Sequence, residues 1–357
     1  MSEFKKVLGN KRITDYFSEA HAGGKLSHAY IINGPAGSGK KTLVRLLSSA
    51  LLCERISPGK DNGQANMFSL SGMPSPAPRS LFAGPCGHCP ACAKTSSGNH
   101  PDLIRLEREK KNIIAVDDIR SQIVADIVIR PFYGPYKLYI IDDAQLMSES
   151  AQSALLKTIE EPPSYGIIFL LTDNADTLLE TVRSRCICFD MESLSPELIG
   201  RELMKAFPLN KRDAMQIAAY SRGNLGEALE YAGSGDKIEL TERIVSVLKR
   251  ISGMSALGIF NEAAAWGKEG RTDISEIIRK WFRDVLLIKN AGEAESLFFP
   301  GHVACLTRQA GAFDYEDINN IFLQIDISIE RLNANVKAEA AFENLLLSIR
   351  RFSKKGK

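Results

Sequence analysis

The sequence predicts a parallel α/β domain that carries a phosphate-binding loop and is followed by two helical domains. Short apolar runs typical of buried strands alternate with segments of helical spacing through the first half of the chain. A glycine-rich loop, residues 34–40, follows the first predicted strand and opens the first predicted helix. Beyond Ser195 the pattern is helical. We therefore expect an α/β domain at residues 1–192, a small helical domain at 193–235 and a helical bundle at 236–357.

The α/β domain is predicted from the order of its segments. Its elements are expected at residues 28–34 (strand), 41–53 (helix), 113–129 (helix), 137–143 (a strand ending in two carboxylates), 148–163 (a helix stopped by proline) and 166–172 (strand). Strands that are separated by helices are joined by right-handed crossovers, so the sheet is predicted to be parallel.

The helical part has two predicted sections. Three short helices are expected at residues 195–207, 211–221 and 223–232, where they would form the small domain. The remainder, from about Ile238 to Phe352, shows amphipathic spacing and no chemical motif. Such a bundle more often mediates association than catalysis, so we expect an oligomerisation domain.

The composition is that of an ordinary soluble protein. With 45 basic against 43 acidic residues the net charge is only +2, which does not support a dedicated DNA-binding role. The sequence contains no run of the roughly 18 apolar residues that cross a bilayer. Its first residues lack the pattern of a secretory signal. We therefore expect a cytoplasmic location and no membrane partner.

The glycine-rich loop has the form of a P-loop. Gly34, Gly37 and Gly39 allow backbone N–H groups to form a concave nest, and the following helix adds partial positive charge. Lys40 can neutralise the terminal phosphates of a nucleotide. The alternative is a glycine-rich turn without a ligand. The sequence thus predicts a site for ATP or ADP.

One position of this loop departs from the P-loop pattern. The residue after Lys40 should be Ser or Thr, whose hydroxyl binds magnesium, but it is Lys41. Thr42 comes one residue too late, and because a helix turns about 100° per residue it should face away from the metal. Nucleotide binding is therefore expected, whereas a bound magnesium ion and hydrolysis are doubtful.

Two carboxylates end the strand that begins at Lys137. Asp142 and Asp143 follow an apolar run, which is the form of a Walker B strand ending at the nucleotide. Asp142 is predicted to face the magnesium position, and Asp143 stands where a longer glutamate would orient the attacking water. Misplacing a catalytic group by about 1 Å can cost on the order of 100-fold in rate. The alternative is that both carboxylates cap a turn.

Three cysteines at metal-ligand spacing predict a zinc knuckle. Cys86, Cys89 and Cys92 form two overlapping CxxC motifs separated by small or turn-forming residues, so three thiolates can converge on one ion. In a reducing compartment such a cluster indicates metal rather than disulfides. The alternative is a set of free thiols. Cys186 and Cys188 alternate on an apolar strand and are predicted to be buried packing residues.

A tetrahedral zinc site needs a fourth ligand. The candidates are Cys53, at the end of the helix after the P-loop, and, as alternatives, His88 and His100. Residues 55–85 carry scattered proline, glycine, serine and asparagine and are predicted to form a mobile loop. Zinc would then fix the base of this insertion to the α/β domain.

Taken together, these motifs resemble the AAA+ subunits of bacterial DNA polymerase III clamp loaders. The resemblance is carried by SHAYIINGPAGSGKKT, CGHCPAC, NHPDLI, YKLYIIDDAQLMSESAQSALLKTIEEPP and TVRSRC, and it extends from residue 1 to about residue 232. It implies an AAA+ fold with a zinc-binding insertion, a helical lid domain at 193–235 and a helical collar domain at 236–357.

The resemblance also assigns residues. It implies that Arg185, in the SRC motif of residues 184–186, is an arginine finger for a neighbouring subunit, and that Thr172 is a first nucleotide sensor. The alternative for Arg185 is a surface arginine in a salt bridge. Where motor subunits carry a second sensing arginine, this sequence has Gly226, and Arg222 does not match that position.

Within this family, gamma and tau subunits are motors that hydrolyse ATP, whereas delta-prime subunits donate an arginine to a neighbour. The departures at Lys41, Asp143 and Gly226 favour the second type, with ATPase activity of its own absent or weak. The implied partners are gamma/tau and delta subunits in a hetero-pentamer, the sliding clamp, and primer-template DNA contacted mainly through the complex. The alternatives are an ATP-hydrolysing gamma/tau-type motor and a zinc-dependent DNA-binding module.

Overall fold

A computed structural model describes residues 9–57, 81–108, 112–269, 273–291, 297–334 and 336–353. The chain divides into two compact units, Met1–Ser193 and Leu194–Lys357. Most of the predicted mobile loop at residues 55–85 lies outside the described residues, which stop at 57 and resume at 81.

The first unit contains a five-stranded parallel sheet in the order β2-β3-β4-β1-β5. Its strands are Ala29–Asn33 (β1), Leu103–Arg105 (β2), Lys137–Ile141 (β3), Gly166–Thr172 (β4) and Ile187–Asp190 (β5). Strand β1 lies between β4 and β5: the chain passes from β1 to β2, at the far edge on the β4 side, and β5 lies at the opposite edge. At such a switch point a crevice opens beyond the carboxyl ends of the strands, and ligands of α/β proteins bind there.

Helices cover both faces of this sheet. The first unit has helices Lys11–Ala22 (α1), Lys40–Leu51 (α2), Pro90–Ser96 (α3), Val116–Ile119 (α4), Glu149–Glu160 (α5) and Glu180–Arg183 (α6). Because side chains alternate along a strand, Tyr30 packs with Phe17 and Leu43 of α1 and α2, whereas Ile31 packs with Leu155 of α5 on the opposite face. This double burial explains why the strands are apolar runs.

The structure differs from the prediction of one helix over residues 113–129. Regular helix covers only Val116–Ile119, a wider π-helical turn follows over Arg120–Val124, and irregular turns complete the segment. Its buried apolar residues still recur at every fourth position, which produced the helical pattern: Ile119, Ile123 and Ile127.

The second unit is helical throughout its described part. Its helices are Pro196–Ala206 (α7), Lys211–Ser221 (α8), Leu225–Gly233 (α9), Gly235–Arg250 (α10), Ala256–Glu269 (α11), Asp273–Ala291 (α12), Val303–Ala312 (α13), Tyr315–Asn333 (α14) and Ala338–Phe352 (α15). Helices α7 to α9 share a small core around Ile199 and Leu203, and a larger core surrounds Trp266 and Trp281. The three predicted short helices are confirmed, whereas a domain boundary at residue 235 stays a prediction.

The predicted fold class is confirmed: a parallel sheet with a P-loop after its first strand and a cysteine-bearing insertion precedes a helical region. Within the residues described, we find no helix that combines the length and the apolar character needed to cross a membrane.

Candidate nucleotide site and candidate metal centre

The P-loop leaves the carboxyl end of β1 in a conformation that requires glycine. Gly34 donates its N–H to the carbonyl of Thr172 at 3.1 Å, and a Cβ atom on Gly34 would lie 2.9 Å from Cβ of Met191. Gly39, the N-cap residue directly before α2, has φ 94°, and Gly37 has φ 81°. Glycine adopts this left-handed backbone conformation at no steric cost. These glycines bring the loop back over the start of the helix.

Lys40 lies beneath this loop and is nearly buried, with 7% of its side chain exposed. Its Nζ donates to the carbonyl of Gly34, to that of Pro35 at 3.0 Å, and to Oδ1 of Asp173 at 2.6 Å. The Oγ of Ser38, also in the loop, is buried and has no hydrogen-bond partner among the described residues. The loop therefore presents a cation and an unsatisfied hydroxyl.

Lys41 turns toward the two carboxylates that follow β3. Its Nζ lies 4.0 Å from Oδ2 of Asp142 and 3.9 Å from Oδ2 of Asp143. Thr42, the next residue, is exposed on α2. The structure thus brings an ammonium group, rather than a hydroxyl, to the Walker B carboxylates.

Two arginines pair with the same carboxylates. Nε of Arg105, the last residue of β2, lies 2.6 Å from Oδ2 of Asp142, and a terminal nitrogen of Arg108 lies 3.0 Å from Oδ2 of Asp143. Short charge-assisted hydrogen bonds of this kind are stronger than those between neutral groups. Both carboxylates are therefore neutralised by side chains of this chain.

These side chains do not fit a magnesium ion. Magnesium takes oxygen ligands in a near-octahedral arrangement and keeps several waters. Here Lys41 and the two arginines bring three positive charges to two carboxylates. One oxygen, Oδ1 of Asp142, is buried and has no hydrogen-bond partner among the described residues. A divalent cation bound to it would face the three cations around these carboxylates.

Thr172 contributes to the shape of the turn after β4. Its Oγ1 donates to the carbonyl of Asn174 at 3.0 Å and accepts from the N–H of Asn174 at 3.2 Å, and the residue is buried. Its hydroxyl is therefore engaged locally, and a sensor role for Thr172 stays a prediction.

Arg185 lies between α6 and β5 with 41% of its side chain exposed. Its Nε lies 2.9 Å from Oε1 of Glu160, the last residue of α5, and NH1 donates to the carbonyl of Thr181 at 2.9 Å. These contacts hold a guanidinium at the surface. A surface salt bridge and a role toward a neighbouring chain are both compatible with this position.

In the helical unit, the segment expected to carry a second sensor has no arginine at the matching place. Gly226 is in the first turn of α9. The guanidinium of Arg222 stacks over the ring of Phe298, with its central carbon 4.9 Å from the ring centroid. Arg222 therefore packs within its own unit.

Four cysteines converge in the first unit. The Sγ atoms of Cys53, Cys86, Cys89 and Cys92 all lie within 4.8 Å of one another, and those of Cys86 and Cys92 are 3.9 Å apart. A tetrahedral zinc ion with Zn–S bonds of about 2.3 Å places its sulfurs about 3.8 Å apart. The cluster therefore fits a zinc ion. The alternative ligands His88 and His100 do not join it.

Backbone N–H groups point at these sulfurs. The N–H of Cys86 donates to Sγ of Cys53, that of Cys89 to Sγ of Cys86, and that of Cys92 to Sγ of Cys89, each at 3.4 Å. Burial on its own raises the pKa of the Cys86 thiol, but backbone N–H groups of His88 and Cys89 lower it, and the resulting pKa is about 7. Each N–H contact favours the thiolate, the form that binds metal, whereas burial raises the pKa values of the Cys89 and Cys92 thiols.

Cys186 and Cys188 are not the buried pair predicted from the sequence. Cys186 is half-buried and Cys188 is exposed. The reason is the position of β5 at the edge of the sheet. Cys186 directly precedes β5 and Cys188 lies on it, and only one side of this strand is covered by a neighbouring strand.

Three residues of the candidate nucleotide site were missed in the sequence: Asp173, Arg105 and Arg108. Asp173 directly follows β4, and the carboxyl ends of parallel strands meet at one edge, so this signal was available. Arg105 ends, and Arg108 follows, a three-residue strand that has no distinctive pattern.

Known proteins that are similar to this chain include subunits of DNA polymerase III. Residues 74–195 match the family described as DNA polymerase III, delta subunit. The tau subunit of DNA polymerase III from Bacillus subtilis (strain 168) is 29% identical over 320 residues, which cover 82% of this chain and 52% of that relative. The gamma subunit from Buchnera aphidicola subsp. Schizaphis graminum (strain Sg) is 30% identical over 231 residues, covering 63% and 56%.

Among solved structures, a gamma subunit-related protein from Thermotoga maritima is 17% identical, with coverage of 96% of this chain and 99% of that one and a TM-score of 0.42. This chain spans about half the length of the curated relatives it matches. In sequence, the chain is similar to gamma and tau subunits of bacterial DNA polymerase III.

Proposed function

We propose that this chain is a delta-prime-type subunit of a bacterial sliding-clamp loader. In this proposal it hydrolyses ATP feebly or not at all, and it donates Arg185 to the ATP site of a neighbouring subunit. The observation that carries the proposal is the position of Lys41, whose ammonium faces Asp142 and Asp143 where a motor would hold magnesium. Hydrolysis by this chain would lack the metal that neutralises the transferring phosphate.

The surroundings of Asp143 add to this argument. A catalytic carboxylate must be free to orient water near the terminal phosphate. Asp143 instead forms a 3.0 Å ion pair with Arg108, and its backbone is in the left-handed region with φ 53°. A residue held in this way is poorly suited to act on water.

The exposed position of Arg185 supports its proposed action at the ATP site of a neighbouring subunit. A guanidinium that acts on a neighbouring chain must lie at the surface and be held in a defined direction. Arg185 meets both conditions through its exposure and its contact with Glu160. In phosphoryl-transfer enzymes an arginine finger is worth about 10³ to 10⁵ in rate.

A structural zinc ion is part of the proposal. Four cysteine ligands leave no open position for chemistry, so the metal would act on structure alone. Cys53 follows α2, the helix that the P-loop opens, and Cys89 begins α3. Zinc bound there would join the insertion to the element that carries Lys40 and Lys41.

The proposed partners follow from the resemblance. They are gamma/tau and delta subunits in a hetero-pentamer, the sliding clamp, and primer-template DNA contacted through the complex. ATP bound at motor subunits would close the ring of subunits on an open clamp, and hydrolysis would release clamp and DNA. This chain would act as the rigid member.

A motor subunit is the second candidate, because the curated relatives reported above are gamma and tau subunits. Such a motor would need the hydroxyl of Thr42 for magnesium and Asp143 as the group that orients water. The exposed position of Thr42 and the ion pair of Asp143 with Arg108 weigh against it.

Steady-state ATP turnover separates the two candidates. The purified chain is assayed alone, with magnesium, clamp and primed DNA, and then in loaders assembled with motor subunits. The proposal predicts no turnover by the isolated chain and a large loss when the assembled chain carries Arg185→Ala. Robust turnover by the isolated chain would instead identify a motor subunit.

A further inference from the structure

We propose that the P-loop of this chain binds a nucleoside di- or triphosphate without a divalent cation, with the ammonium of Lys41 taking the place of the metal. This inference rests on the proposed function in one respect, the lack of hydrolysis in the chain's own site. It is independent of any action of Arg185 on a neighbour. In this proposal the nucleotide is a structural ligand that binds without a metal ion.

The loop supplies a phosphate site in its own right. Its glycines fold the backbone over the start of α2, where backbone N–H groups and the helix dipole favour an anion. Lys40 lies within this turn, and the buried hydroxyl of Ser38 has no partner among the described residues. An unsatisfied buried hydroxyl costs free energy, which a phosphate oxygen would recover.

Local charge disfavours the metal. In an ordinary P-loop site the Walker B carboxylate is available to magnesium. Here Asp142 and Asp143 are neutralised by Arg105 at 2.6 Å and Arg108 at 3.0 Å. Neither of these two ion pairs involves Lys41, so a divalent cation would enter a site where each carboxylate is already paired with an arginine.

Lys41 lies farther from the two carboxylates than the arginines do, so its ammonium is available to a bound phosphate. Its ammonium stands 3.9 and 4.0 Å from the two carboxylates, near the limit of an ion pair, and 55% of its side chain is exposed. A lysine on a flexible four-carbon stem can turn toward a nearby phosphate at little cost. The two arginines would keep the carboxylates neutral after that turn. Lys41, beside Lys40 at the start of α2, would then balance phosphate charge that magnesium balances elsewhere.

The test measures binding by the full chain, not catalysis. Fluorescent mant-ADP is titrated with purified protein in excess magnesium chloride and, in parallel, in excess EDTA. We expect dissociation constants that differ by less than about threefold. Tightening by about tenfold or more in magnesium would overturn the inference, and so would the lack of binding in both buffers.

Three variants assign the effect to Lys41. Lys41→Thr, which restores the hydroxyl, should bind more weakly in EDTA than wild type, and Lys41→Met should lose affinity by a similar factor in both buffers. Lys40→Ala should abolish binding in both, which places the probe in the P-loop. Thermal melts exclude misfolding. If Lys41→Met binds like wild type in EDTA, Lys41 does not replace the metal.

The two proposals fail separately. Magnesium-dependent binding would refute the metal-free site and leave Arg185 untouched. Unchanged ATP turnover of a loader that contains Arg185→Ala would refute the role in trans and leave the binding result standing.

Discussion

The side chain of Arg185 is anchored by Glu160: Nε of the arginine lies 2.9 Å from Oε1 of the glutamate, which is the last residue of α5. Both side chains are about half exposed, so this ion pair contributes little to folding, about 0 to 1 kcal/mol. The effect of the ion pair is to fix the direction in which the guanidinium points. Glu160 is thus a positioning residue for the proposed arginine finger.

Replacement of Glu160 by glutamine should therefore affect the neighbour's turnover and not the stability of this chain. We expect Glu160→Gln to lower kcat of the assembled loader by a smaller factor than Arg185→Ala does, because the guanidinium remains but is less well oriented. The midpoint of thermal unfolding should stay the same. Glu161→Gln, one residue further and also exposed, is the matched control. Equal turnover in both variants would remove Glu160 from the account.

Loss of one cysteine ligand should release zinc. Cys53→Ser should lower bound zinc, measured by elemental analysis of the purified chain, well below one ion per chain, and lower the free energy of unfolding by at least about 2 kcal/mol. The matched control is Cys188→Ser, because Cys188 is exposed and outside the cluster. Undiminished zinc in Cys53→Ser would show that another residue is the fourth ligand.

A methyl group at Gly34 should disrupt the P-loop. The added Cβ would lie 2.9 Å from Cβ of Met191, at a residue with φ 155°. We expect Gly34→Ala to destabilise the chain by about 1 to 3 kcal/mol and to weaken mant-ADP binding at least tenfold. The control is Gly134→Ala, because a Cβ atom added at Gly134 would have no atom within 4 Å. It should change neither the stability nor the affinity for mant-ADP. Wild-type affinity in Gly34→Ala would show that the loop conformation does not determine binding.

The buried lysine at the start of β3 should stabilise the first unit through its contacts with residues 126–129. Lys137 is 1% exposed, and its Nζ lies 2.8 Å from Oδ2 of Asp126 and 3.3 Å from the carbonyl of Ile129. Lys137→Met removes these donors and leaves the Asp126 carboxylate partly buried. We expect a loss of about 1 to 3 kcal/mol in chemical denaturation. The exposed Lys157→Met is the control, and equal stability of both variants would contradict this argument.

The order of strands and helices in the first unit could be predicted because each element has its own local signal. Strand β4 is a run of seven buried residues, and α5 begins at a serine cap and stops before a proline pair. The prediction of one helix over residues 113–129 was wrong, because the buried isoleucines keep a helical spacing although the segment contains a π-helical turn and irregular turns.

The candidate metal centre could be predicted because three of its residues share a motif. Cys86, Cys89 and Cys92 indicate a metal by their spacing, and the structure brings Cys53, the predicted fourth ligand from a distant part of the sequence, to the same cluster. By contrast, the arginines that neutralise Asp142 and Asp143 have no motif. Their contacts arise because parallel strands bring separate residues to one edge of the sheet.

The most direct test of the central claim compares ATP turnover by two assembled loaders, one containing Arg185→Ala and the other Arg183→Ala. Arg183 is two residues away, is partly exposed and pairs with Asp176, so it controls for loss of charge in this segment. The account predicts that the site completed by this chain loses about 10³-fold or more in rate with Arg185→Ala, and that Arg183→Ala turns over like wild type. Equal turnover by the two loaders would contradict it.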